Sequence, residues 1–241
     1  MRILPVLDIK DRIVVHGIAG QRDQYRPITS RLTSSCQPIE VARAFHKQFG
    51  LTEIYIADLD AIMYGQPNLS VYDELQSQGF RLWLDAGIKT ANDARRLPGC
   101  HRLVAGLETI SGPEVLHDLV QQRGGENVAF SLDLHRGQPL GNRQAWNDAD
   151  ALAIAEQARS ASVQAIIVLD LSRVGVGDGI GTEELCRQLV ARHPDIEWVA
   201  GGGVRNMDDL HRLQRLGLTA VLVASALHDG RITPQSVASL E

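Results

Sequence analysis

Four aspartates stand where short apolar runs give way to polar ones: Asp8, Asp58, Asp133 and Asp170. Two carboxylates on opposite sides of one cavity can divide acid and base work, one taking a proton while the other gives one. A single carboxylate at such a position can equally cap the turn that follows. A second feature suits a different chemistry. Trp198-Val-Ala breaks into Gly201, Gly202 and Gly203 and resumes as a helical pattern, with Asn206 as N-cap and Asp208 and Asp209 in the first turn. Glycine has no Cβ to block an approaching anion, and the free N–H groups of a helix start point at negative charge. The turn therefore reads as a phosphate cradle, with Arg205 beside it. The bland alternative is a tight strand-to-helix turn that binds nothing.

A related stretch lies earlier, from Arg81 to Leu97. Trp83 matches Trp198, Gly87 matches Gly203, Lys89 matches Arg205, and Asn92-Asp93 matches Asp208-Asp209. Two of the three glycines are here Asp85 and Ala86. The pattern predicts a duplication in which one cradle was kept and the other lost.

Apolar runs that could position these residues are Arg2–Leu7, Glu53–Ala57, Phe80–Leu84, Arg102–Ala105, Val128–Leu132, Ala165–Leu169, Glu197–Ala200 and Ala220–Val223. Most are continuously apolar, as strands buried on both faces should be. Amphipathic patterns lie between them, near 39–49, 69–78, 91–97, 113–122, 149–160, 182–192, 207–216 and 234–240. Strict alternation predicts an α/β fold, a single (β/α)8 barrel over residues 1–241. An open doubly wound sheet is the runner-up, but the G-x-G-x-x-G turn it would carry after an early strand is absent. Four correspondences at an offset of about 110–125 residues predict half-barrel repeats over 1–120 and 121–241. In such a barrel the strand C-termini carry function, which is where the four aspartates fall. Two loops there are long. The first, 9–37, holds His16, Arg22, Tyr25 and Arg26 and reads as a lid or binding loop, or else as a disordered insertion. The second, 135–146, carries Arg136, Arg143 and Trp146, whose ring could stack on a ligand or pack against a helix.

Composition narrows the classes. At 241 residues and 44% hydrophobic, the chain can bury one large core. A net charge of -5 gives no basic stripe, so nucleic acid is not an expected partner, whereas a small phosphorylated substrate is. Cys36, Cys100 and Cys186 are scattered and odd in number, without C-x-x-C spacing. That predicts no metal site and no disulfide frame, and fits a reducing cytoplasm. No run is long enough to span a bilayer, so no membrane association is expected. Nothing in the residues requires a cofactor or fixes an oligomeric state.

The half-barrel repeat, Asp8 and Asp133 ending the first and fifth strands, and the Gly-Gly-Gly-Val-Arg turn after the seventh together resemble the HisA/HisF family of histidine-biosynthesis barrels. The resemblance spans essentially the whole chain. It implies an aldose–ketose (Amadori-type) isomerase on a phosphoribosyl compound, with aspartates of the first and fifth or sixth strands as acid and base. Carried onto this chain, the catalytic set is Asp8, Asp133 and Asp170. The substrate and phosphate contacts are Gly202, Gly203, Arg205, Ala224, Ser225, Trp146 and His16, the last standing where the family has an arginine. Departures are equally specific. Val174 replaces an aspartate after the sixth strand, Asp85-Ala86 replaces two glycines after the third, and Gly106-Leu-Glu108 replaces a glycine–hydroxyl contact after the fourth. They imply a divergent relative rather than the histidine-pathway enzyme. The alternatives are a non-catalytic phosphate-binding or regulatory barrel, or a lyase or synthase on a phosphoribosyl compound. The resemblance extends to proteins that accompany archaeal-type one-carbon (tetrahydromethanopterin) pathways.

Overall fold

A computed structural model describes residues 1–97 and 99–240. Eight parallel strands form its centre: β1 (Arg2–Lys10), β2 (Glu53–Asp58), β3 (Arg81–Asp85), β4 (Arg102–Gly106), β5 (Val128–His135), β6 (Ala165–Asp170), β7 (Glu197–Gly201) and β8 (Ala220–Val223). Each pairs with the next, and β8 pairs with β1 from Arg2↔Ala220 to Pro5↔Val223. The sheet is closed, which excludes the open alternative and makes the molecule a single (β/α)8 barrel. Around it run α1 (Pro38–Phe49), α2 (Leu59–Tyr64), α3 (Leu69–Ser77), α4 (Ala91–Ala94), α5 (Pro113–Arg123), α6 (Ala151–Ser160), α7 (Glu183–Arg192), α8 (Met207–Arg215), α9 (Ser225–His228) and α10 (Pro234–Val237). Among the described residues no helix is long and apolar enough to cross a membrane.

The pleat decides what each strand residue does, because successive side chains point to opposite faces. Leu4, Tyr55, Trp83, Val104, Ala129, Ile167, Val199 and Leu222 pack together inside the barrel. Their neighbours in sequence, such as Ile3, Leu7, Ile54, Leu82, Phe130 and Val168, face outward into a larger core under the helices. Below the inner layer, Arg2 pairs with Glu53 and Glu197, and Arg102 pairs with Glu197. The Arg102 guanidinium lies 4.5 Å from the centre of the Trp83 ring, whose Nε1 donates to Glu53 at 2.6 Å. Stepping upward by twos from the inner layer leads to Asp8, Asp85 and Asp133.

The first long loop carries two short strands. Ile13–His16 runs antiparallel to the end of β1, and Arg26–Pro27 pairs with it in turn. The short helix α2, which the periodicity did not signal, is started by Asp58, whose carboxylate accepts from the Ala61 N–H. The pattern near 91–97 yields only the four residues of α4, and that near 234–240 divides into α10 and a 3-10 turn over Ala238–Leu240.

Candidate active site

A cavity of about 940 Å³, counted with its open mouth, lies at the strand C-termini. Asp8, Asp85 and Asp133 enter it from β1, β3 and β5, with Glu108 from the turn after β4. Arg22 and Tyr25 enter from the first loop. Tyr55 lies beneath and donates to Asp85 Oδ2 at 3.3 Å. Asp133 accepts from the Ser131 hydroxyl at 2.6 Å and the Glu108 N–H at 3.2 Å, and Asp85 accepts from the Gly87 N–H at 3.1 Å. The Arg22 guanidinium pairs with Glu108.

Crowding carboxylates away from water disfavours their charge. Burial pushes Asp8 up to about 7, partly countered by Arg22. It pushes Asp85 to about 7 as well, against the Gly87 hydrogen bond and with the help of Glu108. Asp133 is raised well above the ordinary range, by burial first and then by Glu108 and Asp85. At neutral pH Asp8 and Asp85 therefore stand near the midpoint of their titration, and Asp133 is shifted in the same direction.

The part of the cavity walled by the loops after β6, β7 and β8 has a different character. Gly177, Gly202, Gly203, Ala224, Ser225 and Arg231 line it. Gly202 and Gly203 have φ of 87° and 97°, a region that side chains with Cβ rarely enter. A smaller pocket adjoins the main one and shares Asp8 and Ser225 with it, and His16 lines it. His16 Nε2 lies 3.4 Å from the Ser225 hydroxyl, so the two come together at this end.

Four residues named from the sequence take other places. Asp170 is one step out of phase with the inward-facing Leu169, and its carboxylate turns to the loops. It accepts from the backbone of Arg136, Gly137 and Ser172 and from the Ser172 hydroxyl. Burial opposes its charge, but these bonds outweigh it and hold the carboxyl below its usual value. Its place is that of a loop anchor, not of an acid or base at the cavity. Asp58 does the same on β2, accepting from Ala61, Asn68 and Tyr72. Arg205 folds back onto α8, where Nε and Nη2 donate to the buried Asp209 at 2.9 and 2.8 Å, and it does not line the cavity. Trp146 is fully buried on the outside of the barrel, its ring 5.4 Å from that of Phe130, so it packs into the core instead of facing a ligand.

Other residues at the site were not placed there by sequence. Arg231 is one, since nothing in Asp229-Gly-Arg231 marks a ligand contact. Tyr55 is another, although it shares the parity of Glu53 and Ala57. The loop between β6 and α7 also reaches the cavity. Its Val174 carbonyl accepts from the Ala19 N–H at 2.8 Å, which ties it to the first loop.

Comparison with known proteins agrees with this architecture. The histidine biosynthesis protein family matches residues 2–233. A protein of Methanocaldococcus jannaschii, named only as uncharacterized, is 32% identical over 95% of this chain and 94% of its own. Proteins of Desulforudis audaxviator and Listeria welshimeri, both named as phosphoribosyl imidazole-carboxamide isomerases, are 28% and 27% identical. These alignments span all of this chain and 91% and 98% of the relatives. With the family matched from end to end of the barrel and a relative this similar across nearly its full length, the chain belongs to the histidine biosynthesis protein family.

Proposed function

We propose that the chain binds a phosphorylated sugar or phosphoribosyl compound and catalyses an aldose–ketose shift of the Amadori type. Such a shift needs an acid to open a ring or protonate an imine, and a base to take the C2 proton. Asp133, whose carboxyl is raised well above the ordinary range by burial and by Glu108 and Asp85, suits the acid, and Asp8, raised to about 7, suits the base. The observation that carries the reading is that both aspartates line one cavity, which the Gly202–Gly203 turn lines as well. The names of the Desulforudis and Listeria relatives contain two phosphoribosyl groups. Here only one end suits a phosphate, held at Gly202, Gly203 and Ala224–Ser225 with Arg231 at hand. A phosphate about 5 Å from Asp85 or Glu108 would meet repulsion of roughly 3 kcal/mol per charge pair at an effective dielectric of about 20.

Crystals soaked in inorganic phosphate provide the test. We expect density at Gly202–Gly203 alone, and an equally occupied anion beside Gly87 and Gly106 would overturn the one-phosphate reading. We further propose that the barrel descends from a duplicated half-barrel, in keeping with the paired roles of Asp8 with Asp133 and of Asp58 with Asp170.

One observation favours a second reading. Val174 lines the cavity where the family has an aspartate, so an expected proton-transfer group is apolar. That supports a binding barrel without catalysis, or a lyase or synthase on a phosphoribosyl compound of one-carbon cofactor synthesis. Once a ligand is known, Asp8→Asn separates the readings. An enzyme loses turnover with its affinity largely kept, whereas a binding protein has no turnover to lose.

A further inference from the structure

The smaller pocket beside the main cavity has a wall that the chemistry above leaves unused. It measures about 420 Å³ with its open mouth. The first loop supplies one side of it with His16 and Ile28, and α9 supplies another with Ser225 and His228. His228 ends α9 and is only 3% exposed. Its ring lies 4.9 Å from that of Phe45, centre to centre. Nδ1 lies 2.9 Å from the Ser30 hydroxyl of the first loop. Nε2 is buried with no hydrogen-bond partner among the described residues. With Nδ1 committed to the loop, Nε2 is the nitrogen left for the pocket. A buried polar atom without a partner bears its full desolvation, so it calls for a group from outside the chain.

Three features define that group. The Ser30 hydroxyl already accepts from the Leu32 N–H at 3.0 Å, and it can still donate to Nδ1 or accept from it. Nε2 is accordingly a lone pair or an N–H, and a hydroxyl, donor and acceptor at once, completes either. Charge is disfavoured. Burial pushes His228 down to about 4, with His16 acting in the same direction and Asp229 opposing. Surroundings that keep an imidazole uncharged work against any other bare charge beside it, and the Asp8 carboxyl on the same wall opposes an anion in particular. The remaining wall is apolar, with Val6, Val15, Ile28, Val174 and Ala224. It suits carbon next to the polar atom, whereas a lone water would leave that surface wet.

We propose that this pocket is a subsite for a neutral, hydroxyl-bearing carbon arm of the ligand, with His228 Nε2 as its contact and the Ser225 hydroxyl and His16 in the same wall. Attaching the arm to a phosphorylated sugar or phosphoribosyl compound rests on the function proposed above. The subsite itself does not.

Heteronuclear NMR of the isotope-labelled full chain tests this, with glycerol, methylammonium and inorganic phosphate as probes. We expect glycerol to move the His228 Nε2 signal to a plateau while the exposed His117 stays in place. In His228→Phe, which keeps a ring against Phe45, glycerol should move the His16 signals only at about fivefold higher concentration. The melting transition checks that this variant folds, and the titration of the unaltered protein decides the matter if it does not. No plateau at His228, or a larger movement with methylammonium or phosphate, overturns the subsite. So does a folded His228→Phe variant that binds glycerol as tightly as the parent. The backbone amides of Gly202 and Gly203 report phosphate separately. Movement there with His228 indifferent to glycerol refutes the subsite alone. Movement of His228 by glycerol with those amides indifferent to phosphate refutes the phosphate reading alone.

Discussion

Asp8 and Asp85 are held at a standing loss of stability. Burial raises each carboxyl to about 7, while the same groups in an unfolded chain titrate near 4. Between those values the folded protein binds more protons than the unfolded one, so stability falls as pH rises through that window and levels off above about 7. Asp170 has the opposite sign. Its folded value is lowered, so its contribution is present above the unfolded value and is lost as pH falls. We predict that Asp85→Asn raises stability at pH 8 by on the order of 2 kcal/mol and leaves it nearly unchanged at pH 4, since the neutral amide keeps the shape without the buried charge. Denaturant unfolding of both proteins at the two pH values measures this. A variant that is less stable than the parent at pH 8 would contradict the account. Such buried charge is the kind of stability that natural sites commonly trade for function.

At the scale of elements, the mouth is shaped by two loops that meet as backbone against backbone. Gly175 has φ of 71°, and a Cβ there would lie 1.8 Å from the Gly17 carbonyl oxygen. Any side chain at this position is strained in its own backbone and blocked by its neighbour. We predict that Gly175→Ala forces the two loops apart, lowers stability by about 1–3 kcal/mol and weakens ligand binding, while the barrel stays folded. Far-UV circular dichroism should be unchanged and proteolysis within residues 17–26 faster. Unchanged proteolysis with unchanged binding would show that the contact does not hold the mouth. The first loop has a second tie across the opening in the Arg22–Glu108 pair, so one substitution should loosen the loop without freeing it entirely.

The whole molecule separates stability from function along the barrel axis. At the N-terminal end, ion pairs of Arg2 and Arg102 with Glu53 and Glu197 close the barrel under the Trp83 ring. Apolar side chains fill the middle, and the carboxylates and glycines occupy the other end. A shared barrel does not carry the histidine-pathway reaction with it, because function resides in the site residues. Asp85, Glu108 and Val174 change both the charge and the proton-transfer groups of that site. We predict that this chain does not restore growth without histidine to a bacterial strain lacking the pathway isomerase. Growth at a rate near that given by a true isomerase gene would refute it.

Much of this was legible in the residues themselves. Buried parallel strands are continuously apolar, so all eight were found within a few residues of their ends. The glycine turn after β7 and its Asn206 cap were legible because positive φ and N-capping each demand particular residue types. The parity that separates Asp133 from Asp170 is also written in the sequence, but not its sense. Both faces of each strand are apolar, and without a polar face nothing states which parity turns inward. Only closure of the barrel decided that, turning Asp8, Asp85 and Asp133 to the cavity and Asp58 and Asp170 to the loops. The pairing of Arg205 with Asp209 follows ordinary four-residue helical spacing, yet a competing phosphate role fitted the sequence equally well. Trp146 could face a ligand or the core, and its burial against Phe130 was settled by how the loop after β5 lies on the barrel wall. Arg22 meets Glu108 across 86 residues of chain, Arg231 reaches the glycine end, and Tyr55 supports Asp85 from a neighbouring strand. These contacts depend on which strands become neighbours and how the loops fold over them, and a local pattern of residues carries no record of distances between segments far apart in the chain.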